Sequence, residues 1–167
     1  MDPFSVLELF KVGIGPSSSH TLGPMRAANR FAAHLSERQM LTAVRHLRVN
    51  LYGSLALTGV GHATDKAVVL GLAGLDAATV DPDEAEQLFQ SIRSGEPLVV
   101  NAEQPIPFPL NESVRFLGEV FLPEHPNGMR FSALDEHGVE LHAETWYSVG
   151  GGAIANELAK NAAERDL

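Results

Sequence analysis

Gly13-Ile14-Gly15-Pro16-Ser17-Ser18-Ser19-His20-Thr21 leads directly into a segment where Met25, Ala28, Ala32 and Leu35 recur at helical spacing. Arg26, Asn29 and Arg30 fall off that apolar stripe, so the spacing predicts an amphipathic helix with one buried face. Downstream, Leu47, Val49 and Leu51 alternate with Arg48 and Asn50, the pattern of a half-buried strand, and Gly53-Ser54 ends it. A glycine- and serine-rich turn, a helix and a strand in succession place the chain in a mixed α and β class.

The remaining pattern extends that reading. After Gly59-Val60-Gly61-His62-Ala63-Thr64-Asp65, the small and apolar residues from Ala67 to Ala73 predict a second helix packed closely on a neighbour. A third helix has complete end signals: Asp81 to cap it, Pro82 in its first turn, and Asp83, Glu84 and Glu86 near its positive end. Ala85, Leu88, Phe89 and Ile92 form its apolar face, and Gly95 can end it. From Pro97 the pattern turns to strands. Leu98-Val99-Val100 is short, and Pro105, Pro107 and Pro109 make the next stretch a loop or sheet edge. Strands are expected over 114–122, 129–134 and 139–148, with Asp135-Glu136-His137-Gly138 as the hairpin turn between the last two. Gly150-Gly151-Gly152 follows, and residues 153–167 read as a polar helical tail. The expected fold class is α+β: a mixed or antiparallel sheet with helices packed on one face.

Composition narrows the function. With 167 residues, of which 44% are hydrophobic, the chain can build one domain with a real core. A formal net charge of -9 and the lack of any basic cluster argue against a nucleic-acid surface. Apolar stretches are too short and too interrupted to cross a bilayer, so no membrane partner is expected. Met1-Asp2-Pro3-Phe4 lacks the basic lead and apolar run of a secretory signal, which makes the cytoplasm the expected location. With no cysteine there are no disulfides and no thiolate ligands. No pair of histidines has the helical spacing of a zinc site, so no protein-built metal centre is expected.

The serine run concentrates hydroxyls, an imidazole and a helix start in one small volume. Ser17, Ser18 and Ser19 would add O–H donors to the unpaired N–H groups of the first helical turn, which is how proteins hold a carboxylate or phosphate. The structural alternative is a serine N-cap beside a chance histidine. His62 has a similar setting, glycine-adjacent and just before the second helix. A histidine at a helix N-terminus is biased toward its neutral form, so His20 and His62 are candidate general bases. Thr64 and Asp65 are close enough in sequence to orient His62, or else simply to cap the helix. His34, His46, His125, His137 and His142 lack a comparable setting and are read as surface or packing residues.

These residues also match a family. Phe10 to Met25, together with Gly53-Ser54-Leu55-Ala56-Leu57-Thr58-Gly59 and Gly61-His62-Ala63-Thr64-Asp65-Lys66-Ala67, strongly resembles the N-terminal β domain of bacterial iron–sulfur-dependent L-serine dehydratases. The segment from Asn101 to Phe108 and Tyr147-Ser148-Val149-Gly150-Gly151-Gly152 resemble it too, so the similarity spans almost the whole chain.

The resemblance implies an L-serine ammonia-lyase in which the open iron of a [4Fe-4S] cluster polarises the substrate hydroxyl. A base removes the α-proton, hydroxide leaves, and the aminoacrylate collapses to pyruvate and ammonia. Carried over by position, Ser17, Ser18, Ser19 and His20 would bind the carboxylate of L-serine or complete the pocket. His62 would be the first candidate acid/base group, positioned by Thr64 and Asp65; the split of roles between His20 and His62 stays open. The cluster's cysteine ligands would belong to a second, C-terminal α domain. Residues 1–149 would then be the β domain, and 150–167 a linker or the start of the α domain.

On this reading the chain is a truncated piece of a single-chain enzyme, a homodimer when whole, and inactive alone. The resemblance also implies a fold similar to the anion-binding regulatory domain of D-3-phosphoglycerate dehydrogenase. That likeness supplies the competing function, a non-catalytic anion- or serine-binding regulatory module. A domain used only for dimerisation would leave both motifs unexplained.

Overall fold

The computed structural model describes residues 19–59 and 63–156. Its elements are α1 (Leu22–Glu37), a short 3-10 turn (Leu41–Ala43), β1 (His46–Tyr52), α2 (Gly53–Gly59), α3 (Thr64–Leu72) and α4 (Pro82–Arg93). They are followed by β2 (Leu98–Val100), β3 (Gln104–Ile106), α5 (Leu110–Ser113), β4 (Val114–Leu117), β5 (Gly128–Leu134), β6 (Glu140–Gly150) and β7 (Ala153–Asn156). Five strands form one mixed sheet in the order β4-β1-β5-β6-β7, with β2 and β3 as a separate ribbon. Only the β1–β4 pair is parallel.

Strand alternation decides which face the helices cover. Leu47, Val49 and Leu51 of β1 lie opposite Ala133, Phe131 and Met129 of β5, and all six belong to the main core cluster. Their strand neighbours Arg48, Asn50 and Arg130 point to the other face and stay partly exposed. Over the apolar face lies α1, whose Phe31 stacks on Phe131 with ring centroids 5.3 Å apart. Burying each such ring contributes about 1.5–3 kcal/mol. The α+β class with a mixed sheet is therefore what the chain adopts.

Helix α3 packs against α1 at unusually close range, as its small residues foretold. A Cβ at Gly71 would sit 2.4 Å from the Met25 carbonyl oxygen and 2.6 Å from the Ala28 Cβ, so only glycine fits. Asn29 fastens the same crossing by donating to the carbonyls of Gly71 at 2.7 Å and Leu75 at 3.1 Å. Helix α4 forms as its end signals predict. The Asp81 carboxylate accepts from the N–H groups of Asp83 and Glu84, and Ala85, Phe89 and Ile92 are buried.

Three expectations need correction. The strand expected over 114–122 ends at Leu117, because Gly118 and Glu119 turn the chain and the Val120 N–H returns to the Leu117 carbonyl at 3.1 Å. The helical tail expected from Ala153 begins instead as β7, which pairs Ile154 with Ser148 and Asn156 with Trp146. Gly150, Gly151 and Gly152 all have positive φ and make the tight turn into that strand. Residues 157–167 lie outside the described residues. Finally, Gly53 to Gly59 forms α2, a helix that the sequence reading treated only as the end of a strand. No described helix is long and apolar enough to cross a membrane.

Candidate active site

Of the sequence-predicted residues, Ser19, His20, Thr64 and Asp65 are described; Ser17, Ser18 and His62 lie outside the described residues. Ser19 and His20 form the turn that opens α1, and the Ser19 hydroxyl lies 2.9 Å from His20 Nδ1. Thr21 holds the N-cap position of α1 but makes no side-chain capping hydrogen bond, and no acidic residue sits in the first turn. The positive end of this 16-residue helix is thus not neutralised by its own first turn.

The start of α3 reaches the same place. Its N-cap is Ala63, held in the left-handed region at φ 69° with no capping side chain. The fully buried Thr64 is therefore not a cap; its hydroxyl donates to the His20 carbonyl at 2.7 Å. That bond joins the two motifs across 44 residues of sequence.

Asp65 is not part of that link. Its carboxylate accepts from the Lys66 N–H at 2.9 Å and lines a groove of about 410 Å3 with Lys66, Glu86 and Arg93. Burial pushes the Asp65 carboxyl above its ordinary value, against the opposing hydrogen bond from Lys66 and the charge of Arg93. The Lys66 ammonium in turn pairs with Glu86 and holds that carboxyl below the ordinary range, with help from Gln90.

The structure adds residues that pattern reading missed. A Cβ at Gly23 would fall 2.0 Å from Ser148 Oγ, so the first turn of α1 lies directly on the end of β6. Ser148 is fully buried, its N–H donates to the Asn127 carbonyl at 3.0 Å, and the Asn127 amide donates back to the Ser148 carbonyl at 3.3 Å. Ser148 Oγ and Asn127 Oδ1 are both buried without a hydrogen-bond partner among the described residues. An orphaned buried polar atom costs about 1–3 kcal/mol, and each of these two carries that cost among the described residues. His125, read as a surface or packing residue, belongs to this loop: its Nδ1 accepts from the Asn127 N–H at 3.0 Å.

Comparison with known proteins matches the chain to a family. The model of the serine dehydratase beta chain matches residues 5–159, a span that includes both motifs and every described site residue. The chain belongs to the serine dehydratase beta-chain family. Among its relatives, the L-serine dehydratase of Streptomyces coelicolor is 45% identical over 158 residues, which is 95% of this chain and 35% of that protein. That of Mycobacterium bovis is 46% identical over 92% of this chain and 33% of its own length. The L-serine dehydratase TdcG of Escherichia coli is 46% identical over 92% of this chain and 34% of its own length. The chain thus spans about a third of the length of the curated relatives it matches.

Proposed function

We propose that the chain is the β domain of an L-serine dehydratase and that the starts of α1 and α3 bind substrate and move its proton. The observation that carries this reading is the Thr64–His20 bond, which brings both motif-bearing helix starts to one corner beside the Ser19–His20 pair. The positive end of α1, together with the serine hydroxyls that precede it, suits a carboxylate. When the Ser19 hydroxyl accepts from His20 Nδ1–H, the lone pair of the imidazole sits on Nε2, the form a general base requires. His62 remains the first acid/base candidate from its place in the Gly61 to Ala67 motif, with His20 as the other. Loss of the α-proton and the β-hydroxyl from L-serine releases water and aminoacrylate, which hydrolyses to pyruvate and ammonia.

The residues present do not fit an iron–sulfur cluster. The chain has no cysteine, and among the described residues no three His, Asp or Glu side chains gather for a metal. In this proposal the cluster is held by the α domain, in the remaining two-thirds of the enzyme, and the steps assigned to this chain use its own groups alone. A cytoplasmic homodimer and a fold similar to the regulatory domain of D-3-phosphoglycerate dehydrogenase complete the reading; the mixed sheet with α1 on its apolar face supports the second point.

The test is kinetic. In the whole enzyme, His62→Ala and His20→Ala, made separately, are expected to lower kcat by roughly 10²–10⁴-fold in at least one case, the range for losing a general acid or base. Circular dichroism and melting temperature should be preserved. Near-normal turnover in both variants would overturn the assignment.

A further inference from the structure

A second site lies on the flank of α1, where a groove of about 720 Å3 runs between that helix and the β6–β7 hairpin. Arg26, Arg30, Asp76, Trp146 and Ile154 are among its lining residues. Its size is that of a small-molecule site, roughly 300–1,000 Å3. Arg26 and Arg30 stand four residues apart, one above the other on the same helix face. Both are exposed, and among the described residues neither forms an ion pair with a carboxylate. In a chain of net charge -9, two adjacent guanidiniums against a single lining carboxylate, Asp76, leave this groove net positive.

The arrangement is also fixed in place. Arg26 Nη1 donates to the Gly152 carbonyl at 2.7 Å, which holds one guanidinium against the hairpin. Gly152 has φ +79°, and a Cβ there would lie 2.7 Å from Leu22 Cδ2 and 3.0 Å from that same nitrogen, so the contact depends on glycine. The nearby carboxylate, Asp76, already accepts from the Ala78 N–H at 2.8 Å. Trp146 donates its indole N–H to Glu144 at 3.0 Å, which leaves ring carbons, not a polar edge, for the groove.

We infer that this groove binds a small organic anion. Its carboxylate oxygens take guanidinium N–H groups of Arg26 and Arg30, and its carbon skeleton lies on Trp146 and Ile154. Planar guanidinium donors match carboxylate geometry, and the apolar lining gives a carbon-bearing ligand an advantage over a bare inorganic ion. The inference is independent of the serine dehydratase reading.

Trp146 is the only tryptophan in the sequence, so its emission reports this groove directly. The 167-residue chain would be titrated with succinate at constant ionic strength, with sodium chloride and inorganic phosphate as parallel arms. A saturable change in emission with succinate is expected, and Arg30→Gln should weaken it about tenfold or more without lowering the melting temperature. Phosphate should bind several-fold more weakly than succinate. No saturable response, or the same response in chloride or in Arg30→Gln, would overturn the site. Equal binding of phosphate would overturn its assignment to an organic ligand.

Discussion

Helix α1 has a histidine at each end, His20 in the turn before it and His34 in its last turn, and their surroundings are opposite. At its start, His20 has a hydroxyl at Nδ1, an N-cap residue that makes no capping bond and, one turn on, the orphaned Ser148 Oγ beneath the helix. Toward its end, His34 Nδ1 donates to Glu144 at 2.9 Å. The same carboxylate receives His142 Nε2 at 2.6 Å and Trp146 Nε1 at 3.0 Å. His142 also stacks on Phe31 at 6.0 Å, and Arg38 stands 3.4 Å from its Nδ1, which leaves Nε2 as the protonated nitrogen facing Glu144. One end leaves buried polar atoms without a partner among the described residues; the other satisfies a buried carboxylate three times over. A histidine's residue type says little about its role. The groups that share its ring nitrogens say much more.

The comparison breaks most visibly at Glu144. If the network is structural, Glu144→Ala strands the Trp146 and His34 donors and should cost about 2–4 kcal/mol of stability. That is roughly 5–15 °C in melting temperature for a domain of this size, measurable by calorimetry. Turnover per folded whole enzyme should change little, and Glu144→Gln, which keeps an acceptor, should recover part of the loss. A large fall in kcat with an unchanged melting temperature would turn this end of α1 into working machinery.

Much of the first region was legible because its chemistry is local. The capped start of α4 declares itself within a few residues, and α4 formed with the Asp81 bonds its sequence implies, whereas Ser17, Ser18 and His62 lie outside the described residues. The Glu144 network was not legible, since His34 and Glu144 are 110 residues apart and no periodicity connects them. Ser148 and Asn127 escaped for the same reason: only the approach of Gly23 to β6 brings Ser148 under the motif. Helix α2 was missed because Gly53-Ser54-Leu55-Ala56-Leu57-Thr58-Gly59 is only seven residues long and begins and ends in glycine, poor helix formers whose tertiary setting overrides propensity. The strand at Ala153–Asn156 was misread as helix because its pairing partner, not its composition, decides its state.

Ser19 sharpens the other half of the comparison. Thr21, not Ser19, occupies the N-cap position of α1, so Ser19→Ala should change stability by less than about 0.5 kcal/mol. If its hydroxyl serves a bound carboxylate, the loss is about 1.5–3 kcal/mol of binding, and KM for serine in the whole enzyme should rise roughly tenfold or more. Melting curves and steady-state kinetics on the same variant separate the two effects. A lowered melting point with unaltered KM would make the run a structural turn.

The smallest effect concerns Asp65, which the structure sets apart from the Thr64–His20 link. Burial raises its folded pKa above the ordinary 3.8, so the unfolded chain releases this proton at lower pH than the folded one. Below pH 3.8 the group is protonated in both states and carries no penalty. As pH rises through the folded pKa, stability is lost, and at neutral pH the buried carboxylate remains a constant cost. Asp65→Asn keeps an oxygen to accept the Lys66 N–H while removing the ionisation. The variant should therefore match the parent at acid pH and melt higher at neutral pH, by about 1–3 °C. The gain should develop from pH 3.8 upward and then level off. A variant that is less stable at neutral pH would mean that the charge itself, through Arg93 or the positive end of α3, holds the helix in place, and Asp65 would join the working corner instead of standing beside it.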